Sequence, residues 1–442
     1  MTKEFKYTLS SFQMIIIGFA GIILLGTVLL MLPFSTQSGS WTSFFDALFT
    51  ATSAVCVTGL VVQDTATYWS HFGQFVILLL IQIGGMGVVT VASSFALLSG
   101  RKLSFSQRNI MQEALSAPQI GGIVKLTRFV ITGTFLFEIL GAFVMMPVFC
   151  KDFGIKGIWM AIFHSISAFC NAGFDLLGIN AKYSSLTTYM ANPVINITIM
   201  LLIVIGGIGF LTWADIVKNK YRISEYRMQS KVILSTTLVL ILIPTVYFFV
   251  IEFSNMPLKD RIFASFFQAI TPRTAGFNTV DFGMLSEAGI GIMILLMLIG
   301  GSPGSTAGGM KTTTVSVLFA NAKAVFRRKE ETDLFGRRIP NEAIRTAATI
   351  LILYVTLFFC GGVFMSIIEE LPMITCLFET ASAIGTVGLT LGITPQLGLL
   401  SRLLLIFLMF FGRVGGLTLI FATVSGNSKH FSKLPQEKIT VG

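Results

Sequence analysis

Four glycines, Gly59, Gly173, Gly276 and Gly388, each stand ten residues after a phenylalanine and directly before a leucine or a second phenylalanine. The segments read FTATSAVCVTG (49–59), FHSISAFCNAG (163–173), FFQAITPRTAG (266–276) and FETASAIGTVG (378–388). Glycine reaches backbone angles that other residues do not. A glycine at one matched place in four loops can therefore aim backbone carbonyl groups in a chosen direction. Rings of carbonyl oxygens are what replaces the hydration shell of K⁺ in a conduction path. A bare cation in hydrocarbon is prohibitively costly, and non-helical backbone at membrane depth persists only where it lines such a cavity. A second glycine signal follows each loop: Gly84-Gly85, Gly206-Gly207, Gly300-Gly301, and Gly412 with Gly415-Gly416. Close helix packing is the better reading for Gly84-Gly85 and Gly206-Gly207.

The second unusual stretch is Gly300, Gly301, Ser302, Pro303, Gly304, Ser305, Thr306, Ala307, Gly308, Gly309. Pro303 removes a backbone donor, and five glycines weaken what helix remains. The spacing predicts a helix that breaks here and leaves a mobile loop just below the four glycines. Gly304 to Lys311 nearly spells a phosphate-binding loop, but Met310 intrudes and no strand precedes it. Arg413 falls mid-way along the last apolar run. A cation at depth faces an interior path or a polar partner. It is expected to contact the loop at 302–309 or the lower end of the four glycine-bearing segments and to raise the barrier to cation passage, the alternative being a structural interhelical bond. Lys311, at the end of the loop, is expected to reach toward the membrane boundary.

Other polar residues at depth carry less. Glu138 fits an interhelical hydrogen bond, and His164 a satisfied structural side chain. Arg273 is expected to pack behind the third loop. Cys56 and Cys170 share one place in the segments, but Arg273 and Gly385 complete that set, so no cysteine tetrad forms. No Cys/His spacing suggests a metal site.

The elements that must position these residues follow from composition. The 442 residues are 54% hydrophobic and 12% charged, with a mean hydropathy of +0.81. A soluble domain carries about 25% charged residues. Five cysteines make no disulfide scaffold, and the apolar content excludes disorder. Apolar runs of membrane-crossing length occupy 11–32, 73–98, 127–149, 191–214, 229–251, 287–319 (interrupted), 346–368 and 399–424. Shorter runs at 41–57, 157–170, 260–273 and 372–385 read as re-entrant segments. The expected fold is an all-α polytopic membrane protein. Each repeat is a span, a re-entrant helix, a glycine-bearing segment and a second span, and the four repeats share a pseudo-fourfold axis. Approximate repeat bounds are 11–100, 125–220, 229–328 and 342–425, with a tail at 426–442 and an insertion near Tyr183–Ala191 in the second. Of 31 basic residues, 22 fall in the segments on one face. The positive-inside rule makes that face cytoplasmic, with both termini there. The net charge of +10 is therefore a topology signal rather than a nucleic-acid footprint.

At these residues the sequence resembles the Ktr/Trk/HKT superfamily of K⁺ transporters, and within it the KtrB-type membrane subunits. The segments that carry the likeness are VTGL (57–60), NAGFD (171–175), TPRTAGFNT (271–279), TVGL (386–389), GGSPGSTAGGMKT (300–312) and FGRVGG (411–416). The resemblance implies four K⁺-channel-like M1-P-M2 repeats. It implies a selectivity filter at Val57, Thr58, Gly59, Asn171, Ala172, Gly173, Thr274, Ala275, Gly276, Thr386, Val387 and Gly388. It also implies a gate in the 300–311 loop with Arg413. Some plant members have serine in the first loop and favour Na⁺, so Gly59 points to K⁺. The expected activity is K⁺ uptake across the bacterial plasma membrane, with Na⁺ a candidate activator and no cofactor in this chain. The implied partners are a second copy, a cytoplasmic nucleotide-binding (KtrA-like) regulatory ring and membrane lipid. A secondary transporter with a broken-helix midplane site is the alternative. Such folds usually show two repeats, and only Glu138 is acidic at depth. An enzyme would need a catalytic constellation, and the sequence offers none.

Overall fold

The computed structural model describes residues 10–98, 104–115, 119 and 121–423. The basic residues Lys3, Lys6, Arg101 and Lys102 and the tail at 426–442 lie outside them. The elements fall into four sets. The first is α1 (Ser11–Met31), α2 (Phe44–Val55), α3 (His71–Met86) and α4 (Val88–Leu98), followed by a linking helix α5 (Phe105–Ala114). The second is α6 (Ile123–Phe153), α7 (Lys156–Phe169), α8 (Pro193–Gly207) and α9 (Phe210–Asn219). The third is α10 (Met228–Tyr247), α11 (Leu258–Ile270), α12 (Glu287–Leu298) and α13 (Thr312–Phe326). A hairpin of β1 (Asp333–Leu334) and β2 (Arg337–Arg338) separates it from the fourth, α14 (Asn341–Glu369), α15 (Met373–Gly385), α16 (Leu399–Val414) and α17 (Gly416–Thr423).

The opening helix of each set is long and apolar enough to cross a membrane, the third counted through Glu252. Each leaves an apolar stripe uncovered, such as Leu24, Leu25 and Val28 on α1 and Leu136, Ile139 and Phe143 on α6. Those stripes suit lipid rather than water. The short helices α2, α7, α11 and α15 lie where the sequence places its re-entrant runs. They are wrapped by the longer helices, and Phe49, Phe163, Phe267 and Phe378 are fully buried on them.

Two expectations change. The sequence marks a break only in the run at 287–319, yet the last two helices of every set are separated by a break. Gly87, Gly209 and Gly415 take φ of 86°, 90° and 91°, and α3–α4 and α8–α9 bend by 96° and 97°. One glycine in that conformation ends a helix, and hydropathy stays continuous across a single residue. The second change is register. In the third set the buried phenylalanine is Phe267, not Phe266, so its arc to the glycine is one residue shorter.

Polar contacts fix the sets. At the end away from the basic loops, each later set ties the finish of its first helix to the start of its broken one. The Tyr189 hydroxyl meets Asp152 (2.6 Å), Ser286 donates to Glu252 (N–H 2.6 Å, Oγ 2.9 Å), and the Gly398 N–H donates to Glu369 (2.9 Å). The fourth set closes on the first through Arg402 and Asp46 (2.8 Å), with Gln63 donating to the same carboxylate (3.2 Å). Gln13 of α1 also donates to the Ala422 carbonyl (3.2 Å).

Candidate functional site

Each re-entrant helix ends in the same local device. Four residues beyond the buried phenylalanine stands Ser53, Ser167, Thr271 or Ser382. The carbonyl of that residue accepts from the N–H of the residue preceding the glycine: Thr58 (2.8 Å), Ala172 (2.8 Å), Ala275 (3.0 Å) and Val387 (2.8 Å). Its hydroxyl also braces the loop. Ser53 and Ser382 accept from the N–H of Gly59 (3.1 Å) and Gly388 (3.0 Å). Ser167 donates to the Phe174 carbonyl (2.7 Å) and Thr271 to that of Phe277. Matched hydroxyls in a region rich in Ser and Thr gave no separate signal in the sequence.

Beyond the helix the backbone turns left-handed twice. Val57, Asn171, Thr274 and Thr386 have φ of 50°, 58°, 67° and 51°. Gly59, Gly173, Gly276 and Gly388 have φ of 92°, 69°, 81° and 92°. Such angles are uncommon outside glycine and strained for a β-branched residue. Their recurrence at one position in all four loops marks a backbone held for a purpose.

The four loops meet. A Cβ on Gly59 would lie 2.5 Å from the carbonyl oxygen of Ala172, and one on Gly173 would lie 2.8 Å from that of Ala275. Likewise Gly276 faces the Val387 oxygen and Gly388 the Thr58 oxygen. First touches second, second third, third fourth and fourth first, so the contacts close a ring. Four equivalent carbonyl oxygens, of Thr58, Ala172, Ala275 and Val387, crowd the four glycines. No side chain fits at any of the four. Among the described residues the hydroxyls of Thr58, Thr274 and Thr386 are buried with no hydrogen-bond partner. Unpartnered buried oxygen is costly unless something else occupies it.

A cavity of about 90 Å³ is lined by all four glycines and by the stretches of chain that follow them. Asp64 and Asp175 line it. Asp64 is consumed by the N–H groups of Ala66 (3.0 Å), Thr67 (2.9 Å) and Tyr183 (3.0 Å). Asp175 accepts from the Leu177 N–H (2.9 Å). Burial raises its pKa to about 7, the Leu177 bond opposes the rise, and the Asp64 charge adds to it. The insertion of the second set folds over this mouth: the Tyr183 hydroxyl reaches the Val62 carbonyl (3.1 Å) and the Leu186 N–H that of Asn278 (2.9 Å).

Below the ring, the helix breaks where the sequence leads one to expect, and residues 299–311 are non-helical. Backbone bonds anchor this loop to the second and fourth sets. Ser302 and Thr306 donate to the carbonyls of Gly207 (3.0 Å) and Gly206 (3.2 Å), and Gly309 to that of Gly412 (3.1 Å). The Gly304 carbonyl accepts from Phe210 (2.7 Å). Gly308 abuts the Thr386 side chain and Gly309 the Gly385 backbone, so the loop lies directly under the ring. Pro303, Gly304 and Ser305 are its partly exposed turn, and a Cβ on Gly304 would lie 2.8 Å from the Leu115 carbonyl just after α5. Gly300 pairs with the Met310 carbonyl (2.8 Å), and the Gly301 carbonyl accepts from Thr312 (3.0 Å).

Arg413 donates to the carbonyls of Thr306, Gly84 and Gly85 (3.1 Å for Gly85). It therefore joins the loop to the first set's broken span, and among the described residues no carboxylate pairs with it. Lys311 does not reach outward. Its ammonium donates to the Ala307 (2.8 Å) and Gly308 (3.3 Å) carbonyls of its own loop. Both cations line a cavity of about 350 Å³ on the basic side, together with Glu113, Met310 and Tyr354. Gly84, Gly206 and Gly412 pack against the Val55, Phe169 and Ile384 carbonyls that end the re-entrant helices. Glu138 accepts from Gln82 (3.0 and 3.2 Å). Arg273 is buried and donates to Thr237 of α10 (3.2 Å).

The family model TrkH, described as cation transport protein, matches residues 3–433. The potassium/sodium uptake protein NtpJ of Enterococcus hirae is 40% identical over 454 aligned residues, covering 100% of this chain and 99% of its own. The Ktr system potassium uptake protein B of Bacillus subtilis is 40% identical over 417 residues, covering 93% and 92%. Among solved structures, the potassium transporter TrkH from Vibrio parahaemolyticus matches with a TM-score of 0.75 at 18% identity, covering 96% of this chain and 86% of that one.

Proposed function

This chain belongs to the TrkH family of cation transport proteins as a KtrB-type subunit, and on that premise we propose that it conducts K⁺ inward across a bacterial plasma membrane. The single observation that carries the reading is the closed ring of carbonyl oxygens, of Thr58, Ala172, Ala275 and Val387, packed against four side-chain-less positions. Each set is one M1-P-M2 repeat, and Val57–Gly59, Asn171–Gly173, Thr274–Gly276 and Thr386–Gly388 form the filter. The carbonyls replace the hydration shell of K⁺, and the small cavity above, with Asp64 and Asp175, is the outer mouth. The basic loops then face the cytoplasm, with both termini there.

The loop at 300–309 is the gate, closed in this conformation. It fills the path beneath the ring, and the fixed charge of Arg413 beside it raises the barrier to a cation. The bonds that anchor it are backbone hydrogen bonds, cation–carbonyl contacts and the hydroxyls of Ser302 and Thr306, on Thr312 (3.1 Å) and the Phe169 carbonyl (3.1 Å), each replaceable by water when the loop withdraws. Opening is set by a cytoplasmic nucleotide-binding ring that docks on the basic face of a dimer of these chains, with Na⁺ as activator. Support for these partners comes from the relatives, three of which are named as parts of a Ktr system. The test is ⁸⁶Rb⁺ flux into liposomes holding the purified protein, with and without a candidate regulatory subunit. Flux that K⁺ competes away and Na⁺ does not is expected. Absence of flux in both conditions rejects conduction.

A further inference from the structure

Every re-entrant helix carries a fully buried polar residue directly after its anchoring phenylalanine: Thr50, His164, Gln268 and Glu379. A polar group in such surroundings needs a partner, and the partners divide the four into two kinds. Glu379 accepts from the hydroxyls of Thr390 and Thr394 (3.1 Å for Thr394), and the Leu391 amide also faces it. Thr390 and Thr394, themselves 3.0 Å apart, belong to the strand of chain that leaves the fourth loop. His164 does the same for the second loop. Its Nδ1 bonds the Met160 carbonyl (2.7 Å), and Nε2 accepts from the Leu176 N–H (3.4 Å). The two bonds agree on one neutral tautomer, and Phe149 stacks on the ring with centroids 5.1 Å apart.

The other two do not reach their loops. Thr50 turns back to the Asp46 carbonyl of its own helix (2.9 Å). Neither polar atom of the Gln268 amide has a partner among the described residues. The ring contacts run in the order first, second, third, fourth, so the two braced loops stand opposite each other. Granted the conduction proposed for the ring, we infer that Glu379 and His164 are positioning residues that stiffen two facing walls of the filter. The walls of the first and third sets rest on the hydroxyl brace common to all four. A smaller cation is bound well only if the carbonyls move inward to meet it. Walls tied from behind at the outer side resist that contraction, so these two side chains set the preference for K⁺ over Na⁺ rather than the rate.

The experiment is paired K⁺ and Na⁺ flux in liposomes. Glu379→Ala and His164→Ala are each expected to lower the K⁺-over-Na⁺ preference about tenfold. Glu379→Gln keeps one acceptor oxygen and is expected to retain most of it, and Thr50→Ala to retain all. Should Glu379→Ala fail to fold, Thr390→Val removes a donor while leaving the carboxylate, and the same direction of loss is expected. Wild-type preference in the alanine variants or in Thr390→Val, whatever their flux, overturns the inference. A wild-type protein that conducts without preferring K⁺ overturns the filter reading itself.

Discussion

Two glycine-bearing, non-helical stretches meet near the centre of this molecule and use glycine for opposite ends. In the ring, each glycine stands alone between a re-entrant helix and a broken span. A hydroxyl of its own helix braces the loop, and another loop's carbonyl crowds the glycine. In the 299–311 loop all the glycines but Gly304 come in pairs, and most anchors belong to a neighbouring set or to a cation. Glycine in the first case removes a side chain so that four carbonyls can converge. In the second it lowers the cost of rearranging backbone. The lesson is that glycine content alone does not separate rigid aim from freedom to move. The ownership of the hydrogen bonds does.

That contrast can be broken most severely at the ring. Gly276→Ala puts a methyl group against the Val387 oxygen at a φ of 81°, and K⁺ uptake into a K⁺-uptake-deficient strain should fall about 100-fold. Near-normal uptake would mean that the ring yields as readily as the loop. Arg413→Ala removes the tie between the loop's Thr306 carbonyl and the Gly84 and Gly85 carbonyls of the first set, and a charge beside the loop. Flux in liposomes should rise about tenfold, and unchanged flux would leave Arg413 a structural tie only. Lys311→Met removes a clamp internal to the loop, so a smaller rise of about threefold is expected in the same assay. The smallest effect lies at the mouth. Asp175, with its pKa near 7, is neutral below that pH and charged above it, so K⁺ uptake at pH 6 should have a KM about twofold higher than at pH 8. Asp175→Asn should fix the higher value at both; a wild-type pH profile in that variant would remove Asp175 from cation attraction.

Much of this was legible before any coordinates. The four short buried helices lie within three residues of the apolar runs read from the sequence, and the helix break at Gly300–Gly309, beneath the ring, follows from its proline and glycines. Other features leave no trace in composition. The breaks at Gly87, Gly209 and Gly415 are single residues inside continuous apolar runs. The shift from Phe266 to Phe267 was hidden because two phenylalanines stand side by side and spacing was counted to the first. With the register one residue off, Gln268 fell out of line with Thr50, His164 and Glu379. A lone histidine on a helix reads as a satisfied structural side chain, which is true of the bonds His164 makes but silent about what they hold. Lys311 was expected at the membrane boundary because a long cationic side chain usually escapes burial. Here the loop's own carbonyls satisfy it.

The seam between the fourth and first sets has a consequence in time. Three junctions of the ring are bridged by continuous chain, but the fourth joins residues 356 positions apart, Asp46 and Arg402, with Thr58 against Gly388 at the centre. A ribosome delivers the first partner of each pair long before the second. The ring is therefore an open arc throughout synthesis and closes only after Arg402 has entered the bilayer. Until then the first three loops have no complete set of oxygens to offer, and a chain cut short upstream of the last span cannot become a selective leak.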